Sequence, residues 1–163
     1  MTEDRPTVAT VFGILHIIFG ALGILGAAMN VLAMAVSPAG QNPVYDLVAE
    51  NSLFAAYTYA GMVLGLVVSI LLIAAGIGLL KVQPWARTVS IGYAIYGILM
   101  ATIGTIIGLT VILPAMADQG GATAAGARIG VVIGSVTGFI YPVLVLIFML
   151  RSDIKEAFTQ RIR

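Results

Sequence analysis

The chain has 163 residues, of which 60% are hydrophobic and only 9% are charged, and its mean hydropathy is +1.08. A soluble domain is about 25% charged, so this composition excludes a water-soluble globular enzyme and a disordered tail, and the absence of cysteine excludes a secreted disulfide scaffold. The net charge of +1 provides no basic field for nucleic acid, and we expect a single integral membrane domain over residues 1–163.

The first predicted element is a membrane-spanning helix over residues 8–36, a segment without charged residues. This segment is about twice as long as the apolar part of a signal peptide, and acidic Glu3 and Asp4 precede it, so we expect it to be retained in the membrane. Small and polar residues recur every three or four positions and therefore share one face of the helix. This face comprises Gly13, His16, Gly20, Gly23, Ala27, Asn30 and Met34.

A short helix outside the membrane is predicted over residues 42–50. Asn42 can cap its start, and Pro43 suits the first helical position. We expect its apolar side chains to lie on the membrane surface, namely Val44, Leu47 and Val48. Asp46 and Glu50 are expected to face water, and the alternative is that these carboxylates bind a cation or a partner.

Three further spans are predicted over residues 57–80, 88–113 and 129–150, because each is long and apolar enough to cross a hydrocarbon core about 30 Å thick. Backbone groups in lipid must be paired within their own segment, so we expect an all-α membrane protein, a four-transmembrane-helix bundle. Each span also carries a face of small residues, which include Gly61, Gly65, Gly97, Gly104, Gly134 and Gly138. Close packing through small residues drives helix association in lipid, so these faces indicate packing within the bundle or, alternatively, against a second copy of the chain.

The remaining segments lie between and after these spans. Residues 115–127 contain three glycines and are predicted to form a flexible outer loop. Pro142 lies inside the fourth span, where we expect a kink. The tail over residues 151–163 places Ile154, Ala157, Phe158 and Ile162 on one face and basic residues on the others. It is expected either to lie as an amphipathic helix along the inner leaflet or to extend the fourth span.

The distribution of basic residues predicts the orientation of the chain. Seven of the eight Lys and Arg residues lie in the N-terminal segment, the turn over residues 81–87 and the tail, and only Arg128 lies in an outer segment. By the positive-inside rule, both termini are expected in the cytoplasm. The side chains expected to anchor the bundle at the membrane interface are Lys81, Trp85, Arg87 and Arg151.

His16 is the only ionisable residue well inside a predicted span, which makes it a functional candidate. One hydrogen bond across the bundle can satisfy its neutral imidazole, which favours a packing role over a haem ligand, a proton relay or a pore-lining group. Asn30 shares the same face but lies about 21 Å away along the helix. The sequence contains no recognisable pair of groups for acid–base or nucleophilic catalysis and no metal-ligand cluster, so we expect neither an enzyme nor a bound cofactor.

The segment GIGLLKVQPWAR at residues 76–87 resembles a signature of uncharacterised small bacterial four-span proteins, in which a Gly-rich span ends in a basic residue and Pro-Trp-Ala-Arg opens the next span. The segment VFGILHIIFG at residues 11–20 is similar to their first spans. It also resembles the first helix of the B-cell-antigen-like family of four-span membrane proteins, although the chain lacks that family's cysteine-bearing outer loop. These resemblances imply a four-span layout in a bacterial cytoplasmic (inner) membrane, and they imply no activity or binding residue.

Two functional hypotheses follow from these features. The leading one is a non-enzymatic helical bundle that self-associates or binds another membrane protein or lipid, because the spans carry glycine faces and little polar chemistry. The alternative is an oligomeric channel or small-solute transporter, in which a shared pathway is lined by His16, Asn30, Thr102 and Thr105. A dry, packed bundle interior favours the first hypothesis, and a cavity that reaches His16 favours the second.

Overall fold

The structure, a computed structural model, describes residues 7–37, 42–117 and 121–159. These residues form helices joined by short turns, with no strand among them. A π-helical turn at Gly108–Ile112 joins the fourth helix to the fifth. The helices are α1 (Thr7–Val36), α2 (Pro43–Glu50), α3 (Ser52–Leu80), α4 (Pro84–Ile107), α5 (Leu113–Ala117), α6 (Gly121–Met149) and α7 (Ser152–Thr159).

Four stretches of helix are long and apolar enough to cross a membrane, which confirms the predicted number of spans among the described residues. These stretches are Thr7–Val36, Ser52–Leu80, Pro84–Ala117 and Ala125–Met149. The second begins earlier than predicted because Asn51 caps it, accepting a hydrogen bond from the backbone N–H of Phe54 at 3.0 Å. The third is longer than predicted because the π-helical turn continues it into α5.

The flexible loop predicted over residues 115–127 is wrong for the residues that the structure describes there. α5 extends to Ala117, and α6 begins at Gly121. Alanine, the strongest helix former, occupies positions 122, 124, 125 and 127, and this preference outweighs the effect of the glycines. Gly121 has a φ of +50° at the start of α6, a conformation that glycine adopts readily. Residues 118–120 lie outside the described residues.

α1 packs antiparallel along α3 through contacts between glycine and backbone. A Cβ on Gly13 would lie 3.0 Å from the carbonyl oxygen of Gly76, and one on Gly20 would lie 2.6 Å from that of Ser69. Rising numbers in α1 therefore meet falling numbers in α3. Because no side chain separates the two backbones here, the helices approach closely, as small residues allow in lipid.

α6 packs antiparallel along α4 in the same manner. A Cβ on Gly97 would lie 2.7 Å from the ring of Pro142, and the hydroxyls of Thr105 and Ser135 form a hydrogen bond of 2.9 Å between the helices. Two further contacts in the same register join Gly138 with Ala101 and Gly108 with Val131. The bundle thus consists of an α1/α3 pair and an α4/α6 pair, and α3 and α4 connect them.

The packed core lies at one end of the bundle, where α7 and the turn between α3 and α4 are located. The buried residues of α1 all lie between Ala9 and Gly20, and those of α4 lie between Ala86 and Ala94. The core consists of Ala9, Phe12, Leu79, Val82, Ala86, Ala94, Val145, Met149, Ile154 and Phe158. We call this the closed end of the bundle and the opposite end, which carries α2 and α5, the open end.

Two backbone hydrogen bonds form the turn that follows α3 at the closed end of the bundle. The N–H of Gln83 donates to the carbonyl of Gly78 at 2.9 Å, and the N–H of Val82 donates to that of Leu79 at 3.0 Å. Val82 has a φ of +52°, which is uncommon for a β-branched residue. Its side chain belongs to the core and is 6% exposed, so burial offsets the backbone strain.

α7 covers the closed end with its apolar face. Ile154 and Phe158 are fully buried, and α7 contacts α4 and α6. A bend at Leu150 and Arg151 separates α7 from α6, so the described part of the tail is a helix of its own and not an extension of the fourth span. Its apolar face packs against the protein. Ile162 lies outside the described residues.

α2 has the predicted start, because Asn42 Oδ1 accepts a hydrogen bond from the N–H of Val44 at 3.0 Å and Pro43 occupies the first turn. The helix packs against α3 and α5, and Val48 is 7% exposed. Val48, expected on the membrane surface, is therefore buried within the protein.

Candidate functional site

His16 is fully buried in the closed half of the bundle. Its Nδ1 lies 2.5 Å from the hydroxyl of Tyr141, in a hydrogen bond that joins α1 to α6. The ring of Tyr93 from α4 completes the group, since its centroid lies 5.8 Å from that of His16 and 6.0 Å from that of Tyr141. This is the hydrogen bond across the bundle that the packing interpretation describes. We call His16, Tyr93 and Tyr141 the His–Tyr cluster.

The His–Tyr cluster carries more hydrogen-bond donors than it can pair internally. A neutral imidazole has one N–H and each phenol has one O–H, and one hydrogen bond joins the three side chains. His16 Nε2 is buried and has no hydrogen-bond partner among the described residues. If Tyr141 donates to His16, the Nε2 hydrogen and the Tyr93 hydroxyl hydrogen have no acceptor within the cluster. If His16 donates to Tyr141, both phenol hydrogens have none.

The cluster lies about a third of the way along the spans, counted from the closed end. His16 is nine residues from the start of α1, Tyr93 is nine residues from the start of α4, and Tyr141 is eight residues from the end of α6. At a rise of 1.5 Å per residue, each lies about 12–14 Å from the closed end of its helix. The spans are longer than a hydrocarbon core about 30 Å thick, so we expect the cluster inside the core, nearer the surface at the closed end than the opposite surface.

A cavity of about 680 Å³ adjoins the cluster and has walls from both helix pairs. Tyr93 and Tyr141 line it, and the ring of Phe19 lies 4.4 Å from that of Tyr141, centroid to centroid. The hydroxyl of Ser69, also in the wall, donates to the carbonyl of Gly65 in its own helix at 2.7 Å. The rest of the wall is mainly apolar and includes Leu15, Val68, Leu72, Ile140 and Leu144. We call this the central cavity.

Two more cavities continue from the central cavity toward the open end. One of about 520 Å³ lies between α1, α3 and α4, and it shares Gly65 and Ser69 with the central cavity. The other, of about 670 Å³, lies between α4 and α6 and shares Gly134 with it. We call the three cavities together the gap; the central cavity and the cavity of about 520 Å³ lie between the helix pairs, and the cavity of about 670 Å³ lies within the α4/α6 pair.

The predicted glycine faces divide between close helix contacts and the gap. Gly13, Gly20 and Gly23 contact α3, and Gly97 and Gly138 lie between α4 and α6. In contrast, a Cβ on each of three other glycines would meet nothing within 4 Å, and these line the gap: Gly61, Gly65 and Gly134. Gly104 also lines the gap, with the hydroxyl of Tyr57 3.6 Å from its Cβ position. The four faces therefore do not all meet in tight contact around one axis.

Within one copy of the chain, the structure does not bring together the residues of the channel hypothesis. His16 lies behind Tyr141 and does not line the central cavity. Asn30 and Thr105 line different cavities of the gap. Thr102 is exposed on the outside of α4, where its hydroxyl donates to the carbonyl of Ile98 at 2.9 Å.

The four predicted interface anchors all lie at the closed end. Lys81 and Arg151 are exposed, and Arg151 pairs with Asp153 at 3.2 Å. Trp85 is 46% exposed, and its Nε1 donates to a side-chain oxygen of Gln83 at 2.6 Å. Arg87 is partly buried, and its Nε donates to the carbonyl of Met149, the last residue of α6, at 2.8 Å. A cation at this position complements the negative end of the helix dipole.

Tyr93 and Tyr141 are the site residues that sequence reasoning missed. Both are tyrosines within predicted spans, where a phenol hydroxyl needs a partner. Their distance from the closed ends of their helices matches that of His16. Comparing the depths of all polar residues in the four spans would therefore have placed the three at one level.

No family model, no curated protein and no solved structure matches the chain. Among the residues that the structure describes, no group of three or more His, Cys, Asp or Glu could hold a metal ion. The gap and the His–Tyr cluster are therefore the features from which we infer a function.

Proposed function

We propose that the chain is a non-enzymatic integral membrane protein that binds a lipid or another lipid-soluble molecule in the gap. The observation that carries this proposal is the gap itself, three adjoining cavities of about 520–680 Å³ each. Cavities that hold small molecules have volumes of about 300–1,000 Å³ and mostly apolar walls with a few polar groups. The walls of the gap have this composition.

Lipid is the ligand that reaches such a gap most directly. A cavity with apolar walls inside a bilayer is in contact with acyl chains, and empty space costs the dispersion contacts that an occupant would supply. The polar groups in the gap are few, and they include Asn30, Tyr57, Thr105 and Ser135. They would orient a molecule that is apolar over most of its length.

The proposal is tested by filling the gap. In the double variant Gly65→Leu/Gly134→Leu, both new side chains enter the gap where a Cβ meets nothing within 4 Å. We expect native mass spectrometry of protein released from nanodiscs of phosphatidylethanolamine and phosphatidylglycerol to show bound lipid on the wild type. The double variant should retain less than about half as much, since two leucines displace much of the available volume.

The matched control is Gly92→Leu, because Gly92 is exposed on α4 and a Cβ there also meets nothing within 4 Å. This variant should retain as much lipid as the wild type. Wild-type protein released without any bound lipid, or equal retention in the double variant, would contradict the proposal. A dimer free of small molecules would instead assign the gap to a second copy of the chain.

We also propose that both termini face the cytoplasm of a bacterial cell, with the closed end on that side. Three of the four interface anchors at the closed end are basic and support this orientation, namely Lys81, Arg87 and Arg151. The positive-inside rule relates such a bias to the cytoplasmic face.

Orientation can be tested directly, because the chain contains no cysteine. Glu50→Cys and Glu156→Cys place single thiols at exposed positions of the open and closed ends. In intact spheroplasts, a membrane-impermeant maleimide should label Glu50→Cys, whereas Glu156→Cys should react only after the membrane is permeabilised. The reverse pattern would invert the orientation.

A further inference from the structure

We propose that the central cavity binds a lipid-soluble quinone, whose carbonyl oxygens accept hydrogen bonds from Tyr93 and Tyr141. This inference rests on the proposed function, since it names the ligand class of the same gap. It is carried by the donors of the His–Tyr cluster, the depth of the cluster in the membrane and the aromatic wall of the cavity.

The first step concerns the polarity of the ligand. Whichever nitrogen of His16 carries the hydrogen, two of the three polar hydrogens in the His–Tyr cluster have no acceptor within it. An unpaired donor in hydrocarbon costs several kcal/mol. A ligand that satisfies this cluster must therefore bring hydrogen-bond acceptors rather than further donors.

The second step concerns where the acceptor lies. Tyr93 and Tyr141 are about 12–14 Å from the closed end of their helices, a depth that we expect to lie inside the hydrocarbon core on the side of the closed end. The ester carbonyls of a phospholipid lie in the interfacial region, outside the hydrocarbon core about 30 Å thick. At the level of the cluster, a phospholipid offers only methylene groups, so the acceptor must belong to a molecule that enters the core whole.

The third step concerns the shape of the ligand. The aromatic rings of Phe19, Tyr93 and Tyr141 line the central cavity, and the rings of the two tyrosines are 6.0 Å apart. Aromatic rings pair favourably at centroid distances of about 4.5–7 Å. A flat ring with carbonyl oxygens on its edge satisfies the donors and contacts the aromatic wall at once, and a quinone is a lipid-soluble molecule with these features.

His16 is a positioning residue in this scheme. When a carbonyl accepts the hydrogen of Tyr141, the Nδ1 hydrogen of His16 can donate to the oxygen of Tyr141. The hydrogen bond between the two residues is then kept with its direction fixed, and Nε2 carries a lone pair instead of an unpaired N–H. With the hydrogen of His16 on Nδ1, quinone binding therefore pairs all three polar hydrogens of the cluster.

Three compounds of matched shape test the ligand class on the full-length protein in detergent: decyl-1,4-benzoquinone, the corresponding decylhydroquinone under anaerobic conditions, and decylbenzene. We expect the quinone to bind about tenfold or more tightly than either other compound, because a hydrogen bond to a buried donor contributes on the order of 1 kcal/mol and two are available. The hydroquinone brings two further donors to a cluster that already has too many. Isothermal titration calorimetry measures the three affinities.

Two variants locate the site. Tyr93→Phe removes a hydroxyl that has no hydrogen bond within the His–Tyr cluster, so the fold should be retained while quinone affinity falls about tenfold. Tyr141→Phe should lower the affinity at least as much. Tyr59→Phe is the control, because Tyr59 is 53% exposed on α3 and does not line the central cavity. It should bind quinone as the wild type does. Infrared spectra of carbonyl-labelled quinone should show a downshifted carbonyl band in the wild type and a smaller downshift in Tyr93→Phe.

The possible outcomes separate this inference from the proposed function. Equal binding of quinone and decylbenzene would overturn the quinone assignment while the gap remains a site for lipid-soluble molecules. Unchanged quinone affinity in both Tyr93→Phe and Tyr141→Phe would also overturn it. No binding of any of the three compounds, together with no retained lipid, would remove both proposals.

Discussion

Gly20→Ala is expected to lower the free energy of unfolding by about 1–3 kcal/mol, the usual cost of inserting a methyl group into a packed interface. The new Cβ would lie 2.6 Å from the carbonyl oxygen of Ser69 and 3.1 Å from the backbone nitrogen of Ile73. Both are backbone atoms of α3, so no rotamer change relieves the clash and the two helices must move apart. Gly20→Val should cost more, because its side chain is larger and branched.

Gly26→Ala is the matched control, since Gly26 lies in the same helix and a Cβ there meets nothing within 4 Å. Alanine favours a helix over glycine by about 1 kcal/mol, so this variant should be neutral or more stable than the wild type. Unfolding in mixed micelles with increasing dodecyl sulfate, followed by far-UV circular dichroism, measures both changes. Equal stability of Gly20→Ala and Gly26→Ala would show that α1 and α3 are not in backbone contact at Gly20.

Hydropathy predicts the spans of this fold because hydrocarbon imposes one rule on every segment that crosses it. A segment such as residues 57–80 is apolar and long enough to cross the hydrocarbon core, and its backbone groups must hydrogen-bond within the segment. Only a helix meets both conditions. The ends of the spans depend on local features that hydropathy averages away. Asn51 begins α3 early through one side-chain hydrogen bond, and the alanines after Gly121 turn a predicted loop into the start of α6.

The glycine pattern predicts which face of each helix is smooth, but not what lies opposite. Gly20 and Gly65 satisfy the same spacing rule, yet Gly20 meets the backbone of α3 and Gly65 faces the gap. The difference depends on how the α1/α3 and α4/α6 pairs sit against each other. That arrangement is determined by contacts between distant segments, which periodicity along one helix does not contain.

The sequence predicts His16 as a candidate site residue but not its partner Tyr141, for a related reason. His16 is recognisable because an ionisable residue in a span is rare. Its partner Tyr141 is 125 positions away in the sequence, and the pairing depends on both the depth and the rotation of two helices. Depth can be counted from the helix ends, whereas rotation follows from the packing of Gly97 on Pro142 and similar contacts.

His16→Leu and Tyr141→Phe are each expected to destabilise the protein by about 1–3 kcal/mol, because each leaves a polar partner unpaired in a buried position. The double variant should be much less destabilised than the sum of the two, since replacing both partners by apolar groups leaves neither of them unpaired. The resulting coupling energy should be about 0.5–2 kcal/mol, within the range found for hydrogen bonds between membrane helices and for residues in contact.

The same unfolding titration yields this coupling energy from the wild type, the two single variants and the double variant. Pairing His16→Leu with Thr102→Val is the control cycle, because Thr102 is exposed on α4 and hydrogen-bonds only within its own helix. That cycle should be additive within about 0.5 kcal/mol. If the His16/Tyr141 cycle is equally additive, the hydrogen bond between α1 and α6 does not stabilise the bundle. The two helix pairs would then be held together by the apolar core of the closed end and by the contacts of α3 with α4 and of α2 with α5.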